Sequence, residues 1–294
     1  MQVVVRQTSG LGNQLFQYAA GRYLAKRFGA ALRIAHELPH NQAIHGFSRP
    51  LMLRKFAIAA PIGPVNRFDR LVLSTKPRYS LPGRVLRKAA RVQVIREAAD
   101  AFLFHHPFPV IRGTRMVYLL GYWQAHSMVA SVAPELRREF RLREPPSERS
   151  RQLAQQIGVT PMPVSIHIRR GDYLTVFGEH SILSSEYYEA AMARMRARFP
   201  NCSFFIFSDD AAYAREWAAG RPGCVVVDHN DATTAHEDLW LMSTCRHHII
   251  ANSTFSWWGA WLNQRTDKCV TAPSEWLGFA TAETHIAPPD WALI

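Results

Sequence analysis

The residues best suited to chemistry fall in a few short runs. In Ser165-Ile166-His167-Ile168-Arg169-Arg170-Gly171-Asp172-Tyr173, an apolar strand ends by presenting an imidazole, two guanidiniums, a glycine and a carboxylate. Arginine offers a planar fork of donors that stays charged and fits phosphate oxygens. An imidazole beside it can hydrogen-bond a ribose or a base edge. The plainer reading is a surface cluster of salt bridges. A second run, His248-Ile249-Ile250-Ala251-Asn252-Ser253-Thr254-Phe255, leads from a strand through a hydroxyl-bearing turn into an aromatic helix. Amides and hydroxyls at a helix N-terminus attract anions, and ordinary capping by Ser253 or Thr254 is the alternative. Trp257, Trp258 and Trp261 in that helix read as core rather than as a sugar platform. Asp209 and Asp210 follow a third strand, where Asp209 can accept hydrogen bonds from a ligand or cap a helix. Gly10, Gly12 and Asn13 lie in a turn after the first strand, which alone points to no particular reaction.

The elements that must position these groups can be read from the hydrophobic spacing. Gln2–Arg6 reads as a strand, and the helical spacing that follows is stopped by Gly29. Ala31–Ala35 returns as a strand parallel to the first, completing a βαβ unit. Residues 36–115 are broken up by prolines, and their element order is not legible. One helix stands out there, from Arg84 to Val92. On it Arg84, Arg87, Lys88 and Arg91 share a face, with Val85, Ala89 and Val92 opposite, packed on the core. Met116–Gly121 reads as a strand and Gln124–Phe140 as a helix. Arg143-Glu144-Pro145-Pro146-Ser147 is the best linker. Beyond it, strands at 164–168, 203–207, 224–227, 248–251 and 268–271 alternate with helices at 185–199, 210–219, 235–244 and 254–264, with Ser185 as an N-cap. Short apolar strands alternating with helices indicate parallel sheets covered on both faces. Ligands of such domains bind at the carboxyl ends of the strands, where every run above lies.

Bulk composition narrows the function classes. The 294 residues are 48% hydrophobic, enough for a sizeable core. No apolar run is long enough for a membrane-spanning helix, and Met1–Arg6 does not resemble a signal peptide, so a cytoplasmic location is expected. The four cysteines form no C-x-x-C pair and read as buried reduced thiols. The net charge of +12 favours an anionic partner. The basic residues are scattered and form no recognised nucleic-acid module, so no nucleic-acid partner is expected. The basic face of the Arg84 helix is a candidate for peripheral contact with an anionic membrane, at its inner face.

The run from His167 to Tyr173 resembles the H-x-R-R-G-D-Y motif of glycosyltransferase family 11, the α-1,2-fucosyltransferases. It is also similar to the arginine motif of α-1,6- and protein O-fucosyltransferases. The stretch around Ser253-Thr254-Phe255, the run from Gly10 to Tyr18, the Phe207-Ser208-Asp209-Asp210 segment and Gly121-Tyr122-Trp123-Gln124 resemble family sequence in the same order. The resemblance implies an α/β, GT-B-like fold, with two Rossmann-like domains whose parallel sheets flank a cleft. The domains expected are 1–145 on the acceptor side and 146–294 binding GDP-fucose. It implies that Arg169 contacts the β-phosphate of GDP-fucose, that Arg170 supports it, and that His167 contacts the nucleoside. The turn from Asn252 to Phe255 would hold the pyrophosphate. Gly10 and Gly12, with Asn13, would let the first loop approach the donor, and Asp209 would bond guanine or ribose.

The activity implied is transfer of L-fucose from GDP-β-L-fucose, with inversion, to a hydroxyl of a galactose-containing glycan, in an α-1,2 linkage. No Asp-x-Asp occurs, so neither a metal nor another cofactor is expected, and Arg169 with the Ser253/Thr254 turn would stabilise the departing diphosphate. Asp172, beside Arg169, is the candidate base for the acceptor hydroxyl, and pairing with an arginine or capping the turn is its alternative role. The competing functions are transfer of another GDP-deoxysugar or to another position, nucleic-acid binding, and a non-catalytic sugar-nucleotide sensor.

Overall fold

The computed structural model describes residues 1–36, 50–74, 77–97, 108–176, 178, 181–280, 284 and 286–294. For Asp172 this covers the backbone, and its side chain lies outside the described residues. The chain divides into two compact units, Met1–Arg143 and Glu144–Ile294.

The first unit begins with β1 (Gln2–Gln7), α1 (Leu11–Phe28) and β2 (Ala31–His36), with β1 and β2 parallel. Gly29 ends α1 at φ 56°, a left-handed conformation that glycine adopts without steric cost. After a 3-10 turn at Met52–Lys55 come β3 (Ile62–Pro64), α2 (Arg67–Leu73), α3 (Pro77–Ala89), β4 (Val92–Arg96) and β5 (Met116–Leu120). The helices α4 (His126–Ser131) and α5 (Ala133–Glu139) close the unit. Its parallel sheet runs β3-β2-β1-β5-β4, so the strand order reverses between β1 and β5.

Two expectations are corrected here. The single helix read over Gln124–Phe140 is broken at Val132, because Pro134 has no N–H to continue the ladder. The helix read from Arg84 to Val92 is α3, which starts at Pro77 and ends at Ala89. Arg91 then takes φ 50°, and Val92 opens β4. Val85 is 61% exposed rather than packed on the core, whereas Arg87 turns inward to donate to the Val72 carbonyl at 2.6 Å.

The second unit contains α6 (Glu148–Val159), β6 (Met162–Ile168), α7 (Gly171–Val176), α8 (Ser185–Arg198), β7 (Cys202–Ser208), α9 (Ala211–Ala218) and β8 (Cys224–Val227). It continues with α10 (Ala235–Thr244), β9 (His247–Ile249), α11 (Thr254–Leu262) and β10 (Val270–Ala272). A small hairpin of β11 (Glu275–Trp276) and β12 (Phe279–Ala280) precedes β13 (Ala292–Leu293). The parallel sheet runs β13-β10-β9-β6-β7-β8. Counted from β6, this is the Rossmann order 3-2-1-4-5-6, and it reverses between β6 and β9.

Alternation along β7 builds two cores. Val164, Ile166 and Ile168 join Tyr188, Met192, Met195, Phe204 and Ile206 in one cluster. Phe205 and Phe207, offset by one residue on β7, join Ile157, Leu241 and Met242 in another. Each of these fully buried aliphatic side chains contributes about 1.5–3 kcal/mol of burial free energy. Trp257, Trp258 and Trp261 are core, as expected.

Several readings of this unit are adjusted. Helices α6 and α7 were not expected, and β13, not the strand near residue 270, is last. The N-cap of α8 is Ser184 rather than Ser185, which is already helical. Of the four free thiols, Cys245 is buried and the other three are half-buried.

Candidate functional site

The parallel register between β6 and β7 pairs Ile168 with Ser208. Arg169 and Asp209 therefore leave the sheet as neighbours, although 39 other residues separate them in sequence. The Asp209 carboxylate lies 3.0 Å from Arg169 Nη1, and it accepts the Arg170 backbone N–H at 2.9 Å. Gly171 makes this possible: a Cβ at that position would fall 2.3 Å from Asp209 Oδ2. The Ser208 hydroxyl fastens the same corner. It donates to the Ile168 carbonyl at 2.8 Å and accepts from the Asp210 amide at 3.0 Å.

The two arginines are held differently. Arg170 lies 3.8 Å over the Tyr213 ring and 3.5 Å from the Asp210 carboxylate, which also accepts from Tyr213 N at the start of α9. Capping of α9 thus belongs to Asp210, and Arg170 is bound to that helix. Arg169 is instead braced by Asp209 and by the Tyr173 ring, 5.3 Å from its centre. Each arginine has an aspartate beside it, so the corner carries little net charge.

On the other side of the reversal point lies the turn between β9 and α11. Tyr173 Oη donates to the Asn252 carbonyl at 2.9 Å, and Tyr187 Oη donates to the Ile250 carbonyl at 2.6 Å. The Asn252 amide donates to the Ser181 carbonyl at 3.0 Å. Ser253 is the N-cap of α11, its hydroxyl accepting from Phe255 N at 3.3 Å, and Thr254 is the first helical residue. The rings of His167 and Phe255 are 5.4 Å apart. The structure therefore gathers His167, Arg169, Arg170, Asp209, Asn252, Ser253, Thr254 and Phe255 at one end of one sheet. The backbone of Asp172 lies there too, as the second residue of α7.

His167 is 2% exposed, and burial, reinforced by the neighbouring Arg169 charge, lowers its pKa to about 3. The imidazole is neutral at ordinary pH, with one ring nitrogen able to donate and the other to accept. Its Nδ1 is buried without a partner among the described residues, and so is Oδ1 of Asn252. Two buried polar atoms left open at the ends of adjacent strands call for a ligand or water to satisfy them.

Gly10, Gly12 and Asn13 belong to the first unit, at the reversal between β1 and β5. Gly10 caps α1, and a Cβ added there would meet nothing within 4 Å. Gly12 is buried in the first turn of α1. Asn13 donates to the Ser9 hydroxyl at 3.1 Å and accepts from Gln124 at 2.9 Å. Gln14 accepts from the Met52 amide at 2.9 Å and donates to the Pro50 carbonyl at 2.8 Å. Gln17, fully buried, ties Thr8 to the Gly121 carbonyl. Asn13 and Gln17 thus tie the carboxyl ends of β1 and β5 together, and Gln14 ties the run to Pro50 and Met52. Sequence reasoning missed Glu97, which accepts from the Tyr122 and Trp123 amides at 2.5 and 2.9 Å, with its pKa raised by burial. Its position directly after β4 was the available signal, hidden because the order of elements in that region was unreadable.

Comparison with known proteins bears on the family and the fold. The family model described as glycosyl transferase family 11 matches residues 108–293. An alpha-1,2-colitosyltransferase of Escherichia coli is 30% identical over 284 residues, covering 93% of this chain and 92% of its own. A galactoside alpha-(1,2)-fucosyltransferase 2 of Mus musculus is 29% identical, covering 86% of this chain and 65% of its own. In fold, the chain is similar to Arabidopsis thaliana FUT1 in complex with GDP (TM-score 0.56, 12% identity, 92% of this chain and 69% of that one). It is also similar to NodZ alpha-1,6-fucosyltransferase co-crystallised with GDP (TM-score 0.52, 15% identity, 89% and 92%), a protein of Bradyrhizobium. These likenesses establish the GT-B-like α/β class with two parallel sheets.

Proposed function

The chain belongs to glycosyl transferase family 11, and from that premise we propose that it transfers L-fucose from GDP-β-L-fucose to a galactoside hydroxyl, forming an α-1,2 linkage with inversion. The observation that carries this reading is the Arg169 guanidinium, held by Asp209 at the strand-order reversal beside the α11 N-terminus. In this reading Arg169 and the amides of the Ser253–Phe255 turn take the diphosphate. Negative charge on the leaving β-phosphate grows as the sugar bond breaks, so donors fixed beforehand act most strongly at the transition state. Neutral His167 and Asn252 complete their hydrogen bonds on the nucleotide, and Arg170 holds the corner to α9. Asp209 acts through Arg169, as a positioning residue.

The sugar develops oxocarbenium character as its bond to the diphosphate breaks. Asp172 receives the proton of the acceptor hydroxyl that attacks from the opposite face, and one displacement gives the inverted product. Gly10, Gly12 and Asn13 are proposed as donor-binding residues on the family resemblance alone. The α-1,2 linkage is supported by its appearance in the names of both the colitosyl- and the fucosyltransferase relatives. The colitosyltransferase also favours a second reading, in which the donor carries a different deoxysugar.

The test is a panel of GDP-sugars with a β-galactoside, read by GDP release and by NMR of the product. Turnover with GDP-fucose and an α-1,2 product is expected, and EDTA leaves the rate unchanged. Turnover restricted to another donor, or a different linkage, replaces the fucosyl reading. Loss of activity in EDTA restored by Mn²⁺ refutes the metal-free one. Among the described residues no helix is long and apolar enough to cross a membrane.

A further inference from the structure

A groove of about 1070 Å³ in the first unit is lined by Arg84, Arg87, Lys88, Arg91, Arg96 and Arg112, and among the described residues no carboxylate lines it. It is formed by α3, β4 and the turn before β5. Among the described residues, none of these six cations is paired with a carboxylate. Arg87 and Arg96 spend donors on the Val72 and Leu73 carbonyls, whereas Arg84, Lys88, Arg91 and Arg112 are exposed. A concentration of like charge without counter-charges is electrostatically unfavourable in the free protein and is relieved by an anionic partner.

A second observation indicates which anion. Leu81, Val85 and Ile111 are 68%, 61% and 67% exposed, and among the described residues they are the three most exposed large apolar side chains of the first unit. Leu81, Arg84, Val85 and Lys88 follow i, i+3, i+4, i+7 spacing and form one outward stripe on α3. Ile111 lines the groove with Arg84 and Lys88. A soluble phosphate compound needs the cations and has no use for exposed aliphatic side chains. A bilayer uses both, since apolar groups enter the headgroup–acyl boundary while the surrounding cations meet headgroup phosphates.

We propose that this face of the first unit docks on an anionic phospholipid membrane, with Leu81, Val85 and Ile111 inserting and Arg84, Lys88, Arg91 and Arg112 binding headgroups. A transferase docked this way works on glycans carried on lipid, a consequence that rests on the glycosyl-transfer reading above. The docking itself does not, because it is measured without any sugar nucleotide.

The full chain is sedimented with vesicles of phosphatidylcholine alone and of phosphatidylcholine mixed with phosphatidylglycerol. Binding is expected to the mixed vesicles only, and to weaken as salt is raised. Each cation near an anionic surface changes partitioning about fivefold, so the R84Q/K88Q/R112Q variant should lose about 100-fold. L81S/I111S should retain less of its binding than wild type at high salt, where the apolar contribution dominates. Turnover of a soluble acceptor should be unchanged in both variants. Circular dichroism checks their fold, and the salt series on wild type tests the proposal even if a variant misfolds. Absence of binding to mixed vesicles overturns it, as does equal binding to neutral ones or wild-type binding by a folded triple variant. Retention of inorganic pyrophosphate without vesicle binding also overturns it, and marks a site for soluble phosphates.

Discussion

Replacing Gly171 with alanine tests how the corner aims Arg169. The new methyl would lie 2.3 Å from Asp209 Oδ2 and 2.9 Å from its Cγ, closer than real contacts allow. Asp209 is a short side chain and cannot yield at its tip alone. It must rotate away, surrendering both its contact with Arg169 at 3.0 Å and its hydrogen bond from Arg170 N at 2.9 Å. The pair is partly solvated, so the stability cost of losing it is small, about 1 kcal/mol or less. Alanine in place of glycine at the start of α7 offsets part of that, since helix propensity favours it by up to about 1 kcal/mol. The effect on turnover is much larger, because a donor displaced by about 1 Å from developing charge costs on the order of 100-fold in rate. Gly171→Ala is therefore expected to melt within a few degrees of wild type while kcat for GDP release falls about 100-fold. Asp209→Ala should show a similar loss, and because it removes the atom the methyl strikes, the double variant should be no worse than Asp209→Ala alone. Wild-type turnover in Gly171→Ala, or additive losses in the double variant, would refute the positioning argument.

Other expectations follow from the same geometry. Arg169→Ala should abolish turnover with the fold intact. Arg170→Ala, which removes the stack on Tyr213 and the contact with Asp210, should cost about tenfold, on the order of 1–2 kcal/mol; equal losses in the two variants would erase the distinction drawn between the arginines. His167 is held neutral, with its pKa lowered to about 3, so the unfolded chain binds the extra proton. Its effect is absent above about pH 6.5, and stability falls as pH drops from there towards about 3. His167→Asn should flatten that part of a melting-temperature profile, whereas an unchanged slope would remove His167 as a contributor. Gln17→Ala should destabilise the protein by about 2–4 kcal/mol in denaturant titration, because it leaves the buried ends of β1 and β5 without their shared partner. A loss below about 1 kcal/mol would mean that water replaces it.

The sequence alone determined a good deal of this protein. In the second unit, short apolar strands alternate with amphipathic helices, and each has few physical alternatives, so most of those elements were legible to within a few residues. The runs around Arg169 and Ser253 were legible as well, because strand ends in parallel sheets carry ligands and because their types suit phosphate. What lay out of reach depended on distance along the chain. That Asp209 holds Arg169, and that Gly171 must be small for it to do so, follows from the register of β6 on β7 and is invisible to local spacing. Nothing in their local spacing marks Gln14 and Gln17 as buried ties, yet Gln14 bonds the Pro50 carbonyl and Gln17 bonds the Gly121 carbonyl beyond β5. The basic helix was visible too, but its outward face was read wrongly. Periodicity reports which residues share a side; which side meets the core is decided by what packs there. Here α2 and the Val72 carbonyl draw Arg87 inward and leave Leu81 and Val85 in water.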